Sequence, residues 1–156
     1  MDYTGILIDI RKIIRSIDME SKRIEKAYGI SIPQLLLLNH LNVAEDMRAS
    51  QKVLTQSLNL NPSTVSGIVE RLELKGLVAR LASHKDKRIS YIALTAKGAD
   101  MLKSTPELLQ EKLSKRLSGL PEAEIIKIHE SLQKLIHLLE IQDDDAAPML
   151  TRENPI

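Results

Sequence analysis

The 156-residue sequence contains no cysteine, no phenylalanine and no tryptophan. Without a thiol it can form no disulfide, thiolate zinc site or thiol redox switch. Tyr3, Tyr28 and Tyr91 are its only aromatic rings of that kind. A core must therefore be filled by Leu, Ile and Val, and stacking platforms for single-stranded nucleic acid are not expected. Long apolar runs are missing too. The longest lies around Leu35 to Leu38, far short of the ~20 residues that cross a bilayer. The N-terminal stretch shows no apolar segment ahead of a small-residue cleavage site. A cytoplasmic address with no membrane partner is expected. No Gly-rich phosphate loop, zinc-ligand spacing or nucleophile elbow occurs, so neither an enzyme nor a cofactor is expected. His40, His84, His129 and His137 give no reason to expect a metal. His129 and His137 would lie ~12 Å apart along a helix, too far for one chelate.

What is present is an ordinary globular composition, 43% hydrophobic and 28% charged, of a length that suits one domain. The net charge of +1 conceals an uneven distribution. Between Arg48 and Arg88 stand eight basic residues and three acidic ones, while Asp143, Asp144 and Asp145 lie near the end. A basic middle in a near-neutral chain is expected where one surface meets a polyanion.

Periodicity places the helices. Ile6, Ile10, Ile13, Ile14, Ile17 and Ile24 recur at helical spacing, with the basic residues largely on other faces. Gly29 closes this first helix, and a second runs from about Pro33 to Glu45 with Leu35 to Leu38 apolar on several faces. Ser50 caps a short helix through Leu58 whose core face is Val53, Leu54 and Leu58. Asn59 tolerates the left-handed turn that follows. Asn61 and Pro62 then cap and open another helix with a stripe of Val65, Ile68, Val69 and Leu72. Two short helices joined by a tight turn are a helix-turn-helix. Opposite the stripe stand Ser63, Thr64, Ser66, Gly67, Glu70 and Arg71, mostly small and polar. Two readings fit that face: a recognition helix sunk in a major groove, or a solvated surface of a capped helix.

Lys75 and Gly76 end this helix, and Leu77 to Ala82 and Ile89 to Leu94 read as strands. The connection "SHKDKR", Ser83 to Arg88, is too long for a two-residue hairpin and carries His84, Lys85, Lys87 and Arg88 around Asp86. A helix-turn-helix followed by a hairpin with a basic tip is a winged helix. Lys85, Lys87 and Arg88 are placed to reach phosphates or a minor groove, with Asp86 orienting the Arg88 guanidinium. The fold class is mainly α with a small β-hairpin wing. A winged helix-turn-helix is joined to terminal dimerisation helices. Thr95 caps a helix from Ala96 that Pro106 interrupts, and Pro121 opens a last one rich in Ile and Leu. This is more apolar surface than one small domain covers, which suggests a two-fold homodimer through Ile6, Ile10, Ile13, Leu132, Leu135 and Leu139.

Four stretches together resemble the MarR family of transcriptional regulators: "LTQSLNLNPSTVSGIVERLELKGLVAR", the Asp-x-Arg of Asp86 and Arg88, "LTAKG" from Leu94, and "GLPEAEIIKIHESLQKLIHLLE". Thr55 departs from a common Ala, and Pro121 from a common Ser cap. The resemblance implies a single domain over 1–156. Dimerisation helices would fill 1–29 and 96–141, the winged region 33–95, and a flexible tail 142–156. It implies a repressor that binds a pseudo-palindromic site in double-stranded DNA through Ser63, Thr64, Ser66, Gly67, Arg71, Lys85, Asp86, Lys87 and Arg88. It also implies a small-molecule effector of unassigned identity. The segment "IRKIIRSIDMESKRIEKAYG" is more faintly similar to a subgroup controlling compatible-solute genes, for which the signal would be ionic. A winged-helix module that binds an acidic protein partner is the alternative that fold alone leaves open.

Overall fold

The computed structural model describes residues 2–141; the tail proposed for 142–156 lies outside them. Residues 2–105 form one compact unit and 106–141 another. The first holds α1 (Thr4–Tyr28), α2 (Ile32–Val43), a three-residue helical turn (Glu45–Met47), β1 (Arg48–Ser50), α3 (Gln51–Leu58), α4 (Pro62–Leu74), β2 (Val78–Ala82), β3 (Ser90–Leu94) and α5 (Ala96–Ser104). The second holds α6 (Leu109–Leu117) and α7 (Glu122–Leu138).

The core of the larger unit is organised by α2. Ser31 caps it by accepting from the Gln34 amide, while the Gln34 side chain accepts from the Ser31 amide. This reciprocal box satisfies two otherwise orphaned donors. Because α2 is apolar on nearly every side it is central rather than amphipathic. Ile32, Leu35, Leu37, Leu38 and Leu41 are all fully buried. It touches α1, α3, α4, α5 and the sheet. Each such side chain contributes roughly 1.5–3 kcal/mol of apolar burial.

The sheet has three antiparallel strands in the order β1-β3-β2. The hairpin strands begin and end within a residue of where the sequence puts them. The first strand is an addition: Arg48 pairs with Ala93 and Ser50 with Tyr91. Arg48 also sits 5.1 Å from the Tyr91 ring centre and 3.1 Å from the Asp46 carboxylate.

Two expectations need correction. The second helix starts at Ile32 and stops at Val43, short of Glu45, where the chain turns through Asp46 and Met47, both at positive φ. Val53, expected in the core, is 43% exposed; Leu54 alone of α3 is fully buried. An eight-residue helix has too few turns for its apolar phase to be read without knowing its neighbours. On α1, only Ile24 of the Ile stripe is buried, and Ile6, Ile13 and Ile14 are more than half exposed. Thr55 is partly buried, and its hydroxyl has no partner among the described residues.

Candidate nucleic-acid interface

The turn between α3 and α4 is set by local chemistry. Asn59 takes the left-handed conformation at φ 51° and closes α3. Asn61 then caps α4: its Oδ1 accepts from the Thr64 amide at 2.8 Å and from the Ser63 hydroxyl at 2.7 Å. Pro62 occupies the first helical position, where a missing amide proton costs nothing. Gln51, in the first turn of α3, donates to the Pro62 carbonyl at 3.2 Å and so joins the two helices at their N-termini. The stripe of Val65, Ile68, Val69 and Leu72 is buried as its spacing requires. An Asn61→Ala variant is expected to lose about 1 kcal/mol, the usual worth of such a cap, seen as a thermal midpoint lower by a few degrees.

The opposite face is presented outward. Ser63 and Arg71 are exposed, and Thr64, Ser66 and Gly67 are intermediate. A Cβ added at Gly67 would meet nothing within 4 Å, so this part of the face is open and shallow. The Ser63 hydroxyl proton is committed to Asn61. While that bond is made, the oxygen of this exposed residue has acceptor capacity only.

The wing is folded by its own bonds. The register Val78 to Leu94 through Ala82 to Ser90 brings the strands to a tip. There the Ser83 amide donates to the Ile89 carbonyl at 3.0 Å. The Ser83 hydroxyl accepts from the amides of Lys85 and Asp86 at 3.2 and 3.3 Å. Asp86 was expected to hold the Arg88 guanidinium; instead its Oδ1 accepts from the Arg88 backbone amide at 2.9 Å. A carboxylate two residues before an amide closes a tight local ring more readily than it reaches a long side chain. Among the described residues, no side chain pairs with the cationic groups of Lys85, Lys87 or Arg88, and all three residues are exposed. At the wing's base, Arg80 of β2 reaches Glu73 of α4 at 3.2 Å and ties the strand to the helix.

The structure thus places Ser63, Thr64, Ser66, Gly67 and Arg71 on α4, and Lys85, Asp86, Lys87 and Arg88 on the adjoining wing, within one compact unit. Of the dimer candidates, Ile6, Ile13, Leu132 and Leu139 are at least half exposed, and Ile10 and Leu135 are intermediate. The described residues contain no helix long and apolar enough to cross a membrane. They also hold no cluster of three or more His, Asp or Glu suited to a metal.

Residues 28–89, from the end of α1 through the wing, match the model of the MarR family. The regulator MgrA of Staphylococcus aureus is 30% identical over 77% of this chain and 79% of its own. The chain belongs to the MarR family. It is a winged-helix transcriptional regulator and not an enzyme. The transcriptional repressor MdtR of Bacillus subtilis is 24% identical over 90% of this MarR-family chain and 89% of its own length. Among solved structures, the S. aureus MepR-DNA complex shares the fold, with a TM-score of 0.62 at 22% identity over 88% of this chain and 98% of that one.

Sequence reasoning missed several polar links that hold the MarR-family frame. Tyr28 donates to the Ser104 carbonyl, Lys75 to the Gly29 carbonyl and Lys97 to the Lys75 carbonyl. Lys75 was legible only as a cation at a helix end, because its partner lies 46 residues away.

Proposed function

We propose that this chain is a cytoplasmic repressor that binds a pseudo-palindromic operator in double-stranded DNA as a homodimer. In this reading α4 lies in the major groove with Ser63, Thr64, Ser66, Gly67 and Arg71 toward the bases. Lys85, Lys87 and Arg88 meet the phosphates or the adjacent minor groove. The observation that carries it is the prefolded wing: Asp86 and Ser83 bind backbone amides and leave three cations unengaged beside a helix whose outer face is small and polar. The MepR complex with DNA, which shares the fold, supports the same docking. The exposed apolar stripes of α1 and α7 support pairing, since exposing Ile6, Ile13, Leu132 and Leu139 to water is unfavourable unless a second copy covers them. Two-fold pairing would set half-sites about one helical turn, ~34 Å, apart.

A gel-shift titration against the duplex upstream of the protein's own gene, with a scrambled duplex as competitor and light scattering for mass, tests the proposal. A preference for the native duplex by a two-chain species is the expected result. Equal, weak binding to both duplexes, or none at low ionic strength, would return the chain to the alternative of an acidic protein partner. The acceptor-only Ser63 hydroxyl makes a sharper statement. It should read an amino group, on adenine or cytosine, and not a phosphate. Ser63→Ala should reduce discrimination at one operator position by about 1 kcal/mol, roughly fivefold, and leave scrambled-duplex affinity unchanged. Competition among operators substituted at each position would register this.

A further inference from the structure

We infer that Lys75 is a positioning residue that fixes the angle between α4 and α1, and thereby the separation at which two copies present α4 to DNA. The second clause rests on the dimeric DNA-binding reading; the first does not.

Lys75 is held at both of its ends. It terminates α4, and its side-chain ammonium donates to the carbonyl of Gly29, the left-handed residue that closes α1. Its own carbonyl accepts from the Lys97 ammonium, in the first turn of α5, at 2.8 Å. The circuit is closed at the far end of α5, where the Ser104 carbonyl accepts from the Tyr28 hydroxyl at 2.6 Å, one residue before Gly29. The ends of three helices are thus joined through two lysines and one tyrosine. The chemistry suits the place, because the last carbonyls of a helix lack internal partners and carry partial negative charge.

Apolar packing does little to hold α1 in place. Of its 25 residues only Glu20 and Ile24 are buried, both in the half near Gly29. The helix is therefore a lever, ~37 Å long at 1.5 Å per residue, held near one end. A swing of about 10° at Gly29 would carry the other end about 6 Å, more than the ~3.4 Å rise of one base pair. The exposed Ile6 and Ile13 sit on that far half. If they carry the pairing surface, the tilt set at Gly29 becomes the spacing between the two copies of α4.

The absence of cysteine makes the geometry measurable. Spin labels at Ser16→Cys on α1 and Leu74→Cys on α4, both exposed positions, report the angle within one chain when labelled protein is diluted with unlabelled. A single narrow distance distribution is expected for the otherwise unchanged chain, and a broadened or shifted one in K75M. K97M, which removes the other arm, should do the same more weakly, and K75R should restore the narrow distribution. On operators whose half-site spacing is changed by one base pair, the unsubstituted dimer should lose about tenfold in affinity and K75M no more than about twofold. A purely structural or electrostatic role would lower binding equally at every spacing. Unchanged distances in K75M, or uniform weakening with an unaltered spacing profile, would overturn the inference. If the unsubstituted chain bound no duplex, the DNA reading would fall and the distance distributions alone would decide whether Lys75 sets the angle.

Discussion

Replacing Arg88 by Ala is expected to weaken binding to native and scrambled duplexes alike, by about 1.5–3 kcal/mol or roughly 10- to 150-fold. The magnitude follows from what the side chain does before DNA arrives. Its backbone amide is already bonded to Asp86, so the wing keeps its shape when the guanidinium is removed. The guanidinium itself meets no partner among the described residues, so its removal costs the free protein little. The loss therefore falls on the complex. One fewer phosphate neutralised should also reduce the slope of log affinity against log salt by about 1. Asp86→Asn keeps a carbonyl acceptor for the amide and removes a negative charge from the tip, so it should bind at least as tightly as the parent. Unchanged affinity and salt slope in Arg88→Ala would remove the wing from the interface.

The second large effect pairs two helical glycines with opposite signs. A Cβ at Gly98, in the first turn of α5, would stand 2.3 Å from the Leu77 carbonyl oxygen and 2.7 Å from a Leu94 methyl. That carbonyl is backbone and also accepts from the Thr95 amide at 3.2 Å, so it cannot move without disturbing the junction of β2 and α5. Gly98→Val is expected to cost about 3 kcal/mol, a fall of roughly 6–12 °C in thermal midpoint. At Gly67 the added carbon meets nothing, so Gly67→Ala should raise stability by about 0.5–1 kcal/mol. The same substitution would thicken the face proposed to enter the groove. A variant that melts higher and yet binds its operator less tightly would separate the two demands on α4, whereas unimpaired binding would move Gly67 off the interface.

These glycines also show where the sequence was readable. The "LTAKG" stretch carried the family resemblance, but nothing in its spacing shows that Gly98 is required by the approach of Leu77 across the hairpin. Short-range chemistry was legible: the Asn61 and Pro62 start of α4, its buried stripe, the Ser50 and Thr95 caps, and the stop at Gly29 depend on residues within a few positions. Long-range pairing was not. β1 is three residues with no periodicity of their own, and they form a strand only because β3, more than forty positions later, offers Ala93 to Arg48. In the wing the residue types were legible and their connections were not, since a carboxylate near an arginine can bond its side chain or its backbone, and only geometry separates the two.

The bare stripes along α1 and α7 have a genetic corollary. If two copies pair through those stripes as proposed, the functional unit is shared property, and a chain that keeps them but lacks Arg88 would still capture intact copies. Such an allele would act dominantly over the normal gene, whereas an allele that fails to fold would be recessive.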